Sequence, residues 1–171
     1  IIHITKPGKL TEQEFKTIKE HTTRGYKLLM EKGVDETIAR VALMHHEKCD
    51  GSGYPLGLKA DQISQYAKLI TVVDIYEAMK ANRVYRDGVC PFEVVRLYEA
   101  EGFQKYDAKY IITFLRGIVD TYINNTVSLS DGRTGEVVMI NSQSLSNPIV
   151  KVGAEFLDLS TLPNVNIVNI L

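Results

Sequence analysis

Between residues 49 and 60 the chain carries Gly51, Gly53 and Gly57 together with Pro55, a density of breakers that neither a helix nor a strand tolerates. Any fold for this chain must be arranged around a tight, multi-turn loop at that point. The segments on either side have helical period. Thr11 precedes Glu14 by three residues, the spacing of a capping box, and Phe15, Ile18, Tyr26, Leu28 and Leu29 follow at roughly helical intervals. The pattern predicts a first helix over about 11–32, ended by Gly33. Asp35 suits the cap of a second helix, whose stripe of Ile38, Val41 and Ala42 runs directly into His45 and His46.

After the loop, a third helix is expected over about 64–81. A fourth opens at Pro91 and closes before Gly102, and a fifth covers about 107–120. Beyond Tyr122 the pattern changes to period two: Val127 and Leu129 alternate with polar residues, Asp131-Gly132 supplies a turn, and residues 137–140 and 149–152 are short β-branched runs. The expected fold is mainly α, five helices with a small C-terminal β-rich appendage, divided into residues 1–122 and 123–171.

The 171 residues suit about one domain. Lys and Arg number 20 against 21 Asp and Glu, so the chain has no global charge for a DNA duplex and any phosphate binding must be local. Two cysteines exclude a disulfide framework, and no apolar run approaches the roughly 18 residues that span a bilayer, which makes a reducing cytoplasm the expected compartment. The start, Ile1-Ile2-His3-Ile4, has neither an initiator Met nor a signal-peptide pattern and reads as an internal cut.

A helical wheel over 68–79 puts Asp74 beside Ala67, Ile70, Thr71 and Ala78, on what reads as the inward face. A carboxylate buried there costs several kcal/mol, on the order of the penalty for any unpaired buried charge. A metal ion, a buried salt bridge or a cap contact would each answer that cost. His21 lies one turn after Ile18 on the apolar side of the first helix, and His45 and His46 end the second. Any one of them alone is ordinarily a hydrogen-bonded core residue. Three imidazoles with a carboxylate are instead a ligand set for iron, manganese, zinc or nickel rather than for calcium or magnesium.

The run His45-His46-Glu47-Lys48-Cys49-Asp50-Gly51-Ser52-Gly53-Tyr54-Pro55-Leu56-Gly57-Leu58 resembles the signature of the HD-GYP family, His-His-Glu leading into Asp-Gly-x-Gly-Tyr-Pro and a further Gly-Leu. Upstream, Lys6 to Thr11 and Ile18-Lys19-Glu20-His21 are similar to the family's third-motif segment. Downstream, Val73-Asp74-Ile75-Tyr76 and Asn82-Arg83-Val84-Tyr85-Arg86 resemble its aspartate helix and basic segment. The resemblance implies an HD-superfamily helical domain that hydrolyses the signalling dinucleotide cyclic di-GMP to pGpG, GMP or both. It implies His21, His45, His46 and Asp74 as ligands of a bi- or trinuclear iron or manganese centre, with His45, His46 and Asp74 catalytic. Tyr54, Arg83 and Arg86 would contact the dinucleotide; read without the motif, the two arginines are equally a solvated basic stretch. A preceding sensory or receiver domain is a further expectation, and a homodimer is expected because the helices that would cover the apolar faces bearing His21 and Asp74 lie upstream of this chain.

The resemblance begins downstream of the family's name-giving His-Asp pair. His3 aligns with a connecting position, has no following Asp and reads as a surface residue. Glu77 stands where the family has aspartate, Cys49 where an aromatic is common and Val84 where proline is common. Two expectations follow: that this chain by itself holds metal weakly and turns over little, and, as the alternative function, that it is a degenerate domain binding cyclic di-GMP or a protein partner without cleaving it.

Overall fold

The structure is a computed structural model that describes residues 11–81 and 88–171; Arg83, Arg86 and His3 lie outside the described residues. The chain divides into two compact units. One comprises the described residues up to Gly88 with Gln104–Tyr110, the other Val89–Phe103 with Ile111–Leu171.

In the first unit, helix α1 (Glu12–Glu31) starts at the predicted capping box: the Glu14 amide donates to Thr11 Oγ1 at 3.2 Å and the Thr11 amide to Glu14 Oε2 at 2.7 Å. Gly33, at a φ of 73°, turns the chain. Asp35 then caps α2 (Glu36–Met44) by accepting from the Thr37 amide at 2.8 Å. The second helix stops one residue short of the histidines, which occupy the turn after it. Ser64 caps α3 (Gln65–Lys80). A small core of Met44, Ile63 and Ala67, with Leu43, Cys49 and Leu58 packed on it, joins α2, the glycine-rich loop and α3. The Cys49 amide donates to the Lys105 carbonyl at 2.7 Å and Lys68 pairs with Asp107 at 3.0 Å, which fastens residues 104–110 to the same unit. The apolar stripe expected of α1 is largely exposed: only Thr22 of that helix is buried, while Phe15, Leu28 and Met30 face outward.

The second unit opens with α4 (Pro91–Leu97), with Pro91 in its first turn as predicted. The helix does not close before Gly102. It continues through a wider π turn, Tyr98–Gly102, into a short α5 (Phe103–Lys105), and α6 (Ala108–Asp120) follows; of these, Gln104–Tyr110 belong to the first unit and α6 from Ile111 onward to the second. The π turn absorbs an extra residue and sets Gly102 against the Tyr98 ring, where an added Cβ would approach to 2.9 Å.

Strands β1 (Thr126–Leu129), β2 (Thr134–Met139), β3 (Ile149–Val152), β4 (Glu155–Asp158) and β5 (Ile167–Ile170) form one antiparallel sheet in the order β4-β3-β2-β1-β5. Val127, Leu129, Val137, Val150 and Ile167 are buried, as are Phe92, Val94, Val95, Ile111, Leu115 and Val119 of this unit's helices. Glu99 ties the π turn to the β2–β3 loop by accepting from the Leu145 amide at 2.6 Å and the Ser146 hydroxyl at 2.5 Å. No helix among the described residues is long and apolar enough to cross a membrane.

Candidate metal centre

Small residues meet where α1 and α2 pack. The position a Cβ would take on Gly25 lies 3.6 Å from the Ala42 Cβ. His21 is one turn before Gly25 and His45 one turn after Ala42, so close approach at that crossing brings the two imidazoles together. Their Nε2 atoms are 3.1 Å apart. His46 completes the group: ring centroids are 5.1 Å apart for His21 and His45, 4.9 Å for His21 and His46, and 4.2 Å for His45 and His46. One nitrogen from each ring lies within 4.8 Å of the others.

The second nitrogens decide the chemistry. His21 Nδ1 is 2.6 Å from the Ile18 carbonyl oxygen and His45 Nδ1 is 2.9 Å from that of Ala42. A carbonyl only accepts, so each Nδ1 carries the hydrogen and each Nε2 of the neutral ring presents a lone pair. With both rings neutral, two lone pairs face each other at 3.1 Å, an arrangement that is satisfied by a cation between them, either a proton shared by the two nitrogens or a metal ion. Nitrogens each about 2.1 Å from one ion are roughly 3 Å apart when they meet it near a right angle. Backbone carbonyls that fix tautomer and ring orientation are the ordinary support of a metal-ligating histidine.

Burial, helped by its histidine neighbours and opposed by Asp74, holds His46 down to about 4, so this ring is neutral near pH 7 and able to ligate. For the same reason the 3.7 Å approach of His46 Nδ1 to Asp74 Oδ2 is not an ion pair, and it is too long for a hydrogen bond. Asp74 itself departs from expectation. Its side chain is 45% exposed, not buried. Helix α3 is apolar nearly all round, so the wheel did not single out its inner face: Ala67, Thr71, Val72 and Tyr76 are buried, whereas Ile70, placed inward with Asp74, is 43% exposed. Asp74 sits on the flank of that stripe, open to an ion from the His46 side.

The buried carboxylate is Glu47, 2% exposed. It accepts from the Leu56 amide at 2.6 Å and the Leu58 amide at 2.9 Å. Gly57 between them has a φ of 65°, and this reversal turns both neighbouring N–H groups toward one anion. A second anchor is the Thr71 hydroxyl, buried and 2.8 Å from both the His45 and Ala67 carbonyl oxygens, which pins the histidine turn to α3 one turn before Asp74. Neither role was read from the sequence. The signal for Glu47 was its position between the histidines and a loop rich in free amides; Thr71 gave none beyond a hydroxyl in an apolar helix.

The loop also folds back on the histidines. The Tyr54 amide donates to the His46 carbonyl at 3.1 Å, and the Tyr54 ring stacks on the His46 ring at 4.7 Å with a 31° tilt. Burial, and then the negative charge of Asp74, push the Tyr54 hydroxyl up to about 12, so it stays a donor. Gly53 makes the fold-back possible: a Cβ there would sit 2.5 Å from Glu47 Cα and 2.7 Å from the Glu47 carbonyl carbon. Gly53→Ala is expected to lower stability by about 1 to 3 kcal/mol, the usual cost of overpacking, and to separate Tyr54 from His46. Chemical denaturation, and loss of the ring-current shift of His46 in its NMR spectrum, check this.

His21, His45 and His46 thus converge, Asp74 and Tyr54 lie beside His46, and Arg83 and Arg86 fall outside the described residues. Neighbouring helices and the turn after α2 present three histidines and an aspartate beside a glycine-rich loop. The HD domain family matches residues 1–110, and the chain belongs to that family, in its HD-GYP branch. It is 35% identical over 150 residues to a cyclic di-GMP phosphodiesterase of Pseudomonas aeruginosa, covering 87% of this chain and 36% of that protein. It is 36% identical over 124 residues to a cyclic di-GMP phosphodiesterase of Thermotoga maritima, covering 70% and 34%. Over 83 residues it is 42% identical to a 3'3'-cGAMP-specific phosphodiesterase of Vibrio cholerae, covering 48% and 18%. The chain therefore spans little more than a third of the length of these relatives at most.

Proposed function

We propose that this chain is the helical core of a metal-dependent phosphodiesterase that hydrolyses cyclic di-GMP to pGpG, GMP or both. The observation that supports this most is the pair of Nε2 atoms held 3.1 Å apart, each on a ring whose Nδ1 is within hydrogen-bond distance of a backbone carbonyl. His21, His45, His46 and Asp74 are the protein's ligands in this reading, for a bi- or trinuclear centre of iron or manganese, the metals that suit mixed imidazole and carboxylate donors. When bound, such ions acidify a water and withdraw charge from the phosphate oxygens.

The chain's own residues do the rest. The Ile18 and Ala42 carbonyls keep the His21 and His45 rings aimed, and the Thr71 hydroxyl keeps the histidine turn in register with Asp74. Tyr54, protonated and partly buried against His46, offers a face for a guanine and a hydroxyl for a phosphate oxygen. Arg83 and Arg86 would hold phosphate or a guanine edge with their guanidinium forks. Residues 1–122 would be the catalytic part and 123–171 its appendage, in a protein with a sensory or receiver domain and capable of dimerising.

The test is metal analysis and chromatography of the products formed from cyclic di-GMP by the protein that carries this chain. Iron or manganese bound at one or more equivalents, with pGpG or GMP released, is the expected result. Metal-free protein with no turnover after reconstitution overturns the reading. Saturable binding of the dinucleotide without cleavage would make this a receptor domain instead.

A further inference from the structure

Lys19 stands one turn beyond Phe15 on α1, and its ammonium is held over two rings at once: Nζ is 4.6 Å from the Phe15 centroid and 5.0 Å from that of Tyr54. The two rings meet edge to face, 6.4 Å apart and inclined at 73°. Tyr54 in turn stacks on His46. The charge is thereby fixed to the border of the histidine cluster, at most about 10 Å from the His46 ring when the two ring contacts are laid end to end. Aromatic faces attract a cation without cancelling its charge. Arg24, Arg40, Lys68, Arg96 and Arg133 each pair with a carboxylate; Lys19 pairs with none among the described residues.

A cyclic dinucleotide carries two phosphodiesters on one ring, each with a full negative charge. Metal ions held by the histidine cluster would neutralise the phosphate to be cleaved, which leaves the other anion to be met within the reach of one small molecule. We propose that Lys19 is the cation for this second phosphate, an assignment that rests on the phosphodiesterase reading above. A guanine lying against Tyr54 would bring its own backbone alongside the ammonium, and the aromatic seat keeps the side chain extended before substrate arrives, so little rotamer freedom is lost on binding. The role is one of binding and selection: Lys19 favours diesters with a second anion over those with one.

The obvious competing role is purely structural, a long stem covering Phe15 and Tyr54. Lys19→Met keeps the stem and removes the charge; Lys19→Arg keeps the charge. Exposed Lys16 on the same helix supplies a control in Lys16→Met. Each protein is titrated with cyclic di-GMP in calcium, to measure affinity without turnover, at two salt concentrations. Each is also assayed in manganese on cyclic di-GMP and on bis(4-nitrophenyl) phosphate, a diester with a single phosphate. Lys19→Met is expected to weaken binding about 10- to 100-fold, the range for one charge-assisted contact, and to flatten its salt dependence. Its preference for cyclic di-GMP over the single-phosphate diester should fall by the same factor, while Lys19→Arg stays within a few-fold of the parent and Lys16→Met matches it. Equal affinity and salt dependence in Lys19→Met and the parent overturn the assignment. So does an equal loss on both diesters, or an Arg variant as weak as the Met variant. A parent protein that neither binds nor cleaves cyclic di-GMP fails the phosphodiesterase reading itself, a result separable from all of these.

Discussion

Replacing His45 by alanine is expected to remove tightly bound metal and to lower kcat/KM on a phosphodiester by about three orders of magnitude or more, while leaving the metal-free fold as stable as before. The first half follows from the donor set. His45 supplies one of two lone pairs aimed at a common point, and a cluster deprived of it binds its ion loosely and aims the attacking water poorly. The second half separates a ligand from a core histidine. In the metal-free protein, at a pH where both rings are neutral, the two facing lone pairs repel, so deleting one ring relieves a conflict, which offsets the Nδ1–H bond to Ala42 that is lost with it. The His45 carbonyl, which accepts from Thr71, survives the substitution. Unfolding free energies of the two metal-free proteins should therefore agree within about 1 kcal/mol. With metal at a hundredfold excess over its dissociation constant, the parent gains about 2.7 kcal/mol and the variant far less. Urea denaturation with and without manganese, together with metal analysis, reads both halves. A His45→Ala protein that is markedly less stable without metal, yet loses no metal-dependent stabilisation, would make His45 a packing residue.

Local signals were legible wherever a short-range rule operates. Thr11, Asp35, Ser64 and Pro91 each open a helix because their chemistry answers the free amides of a first turn or needs none. The histidine cluster was also legible, since a stripe ending in two imidazoles can point only where the stripe points. What the sequence hid is long-range. Strands β4 and β5 lie at the two edges of the sheet and bury few residues, and Phe156 is 66% exposed, so neither segment shows a strong alternation. The π turn let α4 run past Gly102, a residue that on local grounds ends a helix. Asp74 was misjudged because α3 is apolar on most sides, and a wheel drawn on such a helix cannot choose between its inner face and its flank. Glu47 escaped for the opposite reason: its partners are amides nine and eleven residues away, and backbone donors leave no mark in a sequence.

Glu47 carries the second large effect. Its side chain is buried and accepts from both the Leu56 and the Leu58 amides, which lie at the partly exposed rim of the loop. Glu47→Ala leaves two N–H groups without their carboxylate at the partly exposed rim of the loop, at about 1 to 2 kcal/mol each, which predicts a loss of about 2 to 4 kcal/mol. This is a large part of the stability of any single domain. Glu47→Gln is the sharper experiment, because it preserves volume. One amide oxygen can still accept, but the new NH2 group is turned toward a backbone N–H, donor against donor, so about 2 to 3 kcal/mol should go with little change in the denaturant slope. The consequence reaches the site through Tyr54, two residues before Leu56: once the loop lifts, the ring no longer stacks on His46 and the wall on which a base would lie is gone. Metal content should change little, since the histidines are held by α1, α2 and the Thr71 hydroxyl rather than by the loop, while the affinity for a dinucleotide should fall at least tenfold. This split is what a loop anchor predicts and a metal ligand does not. Glu47→Gln as stable as the parent within about 0.5 kcal/mol would show that the carboxylate does not hold the loop, and loss of metal in step with affinity would move Glu47 into the ligand set.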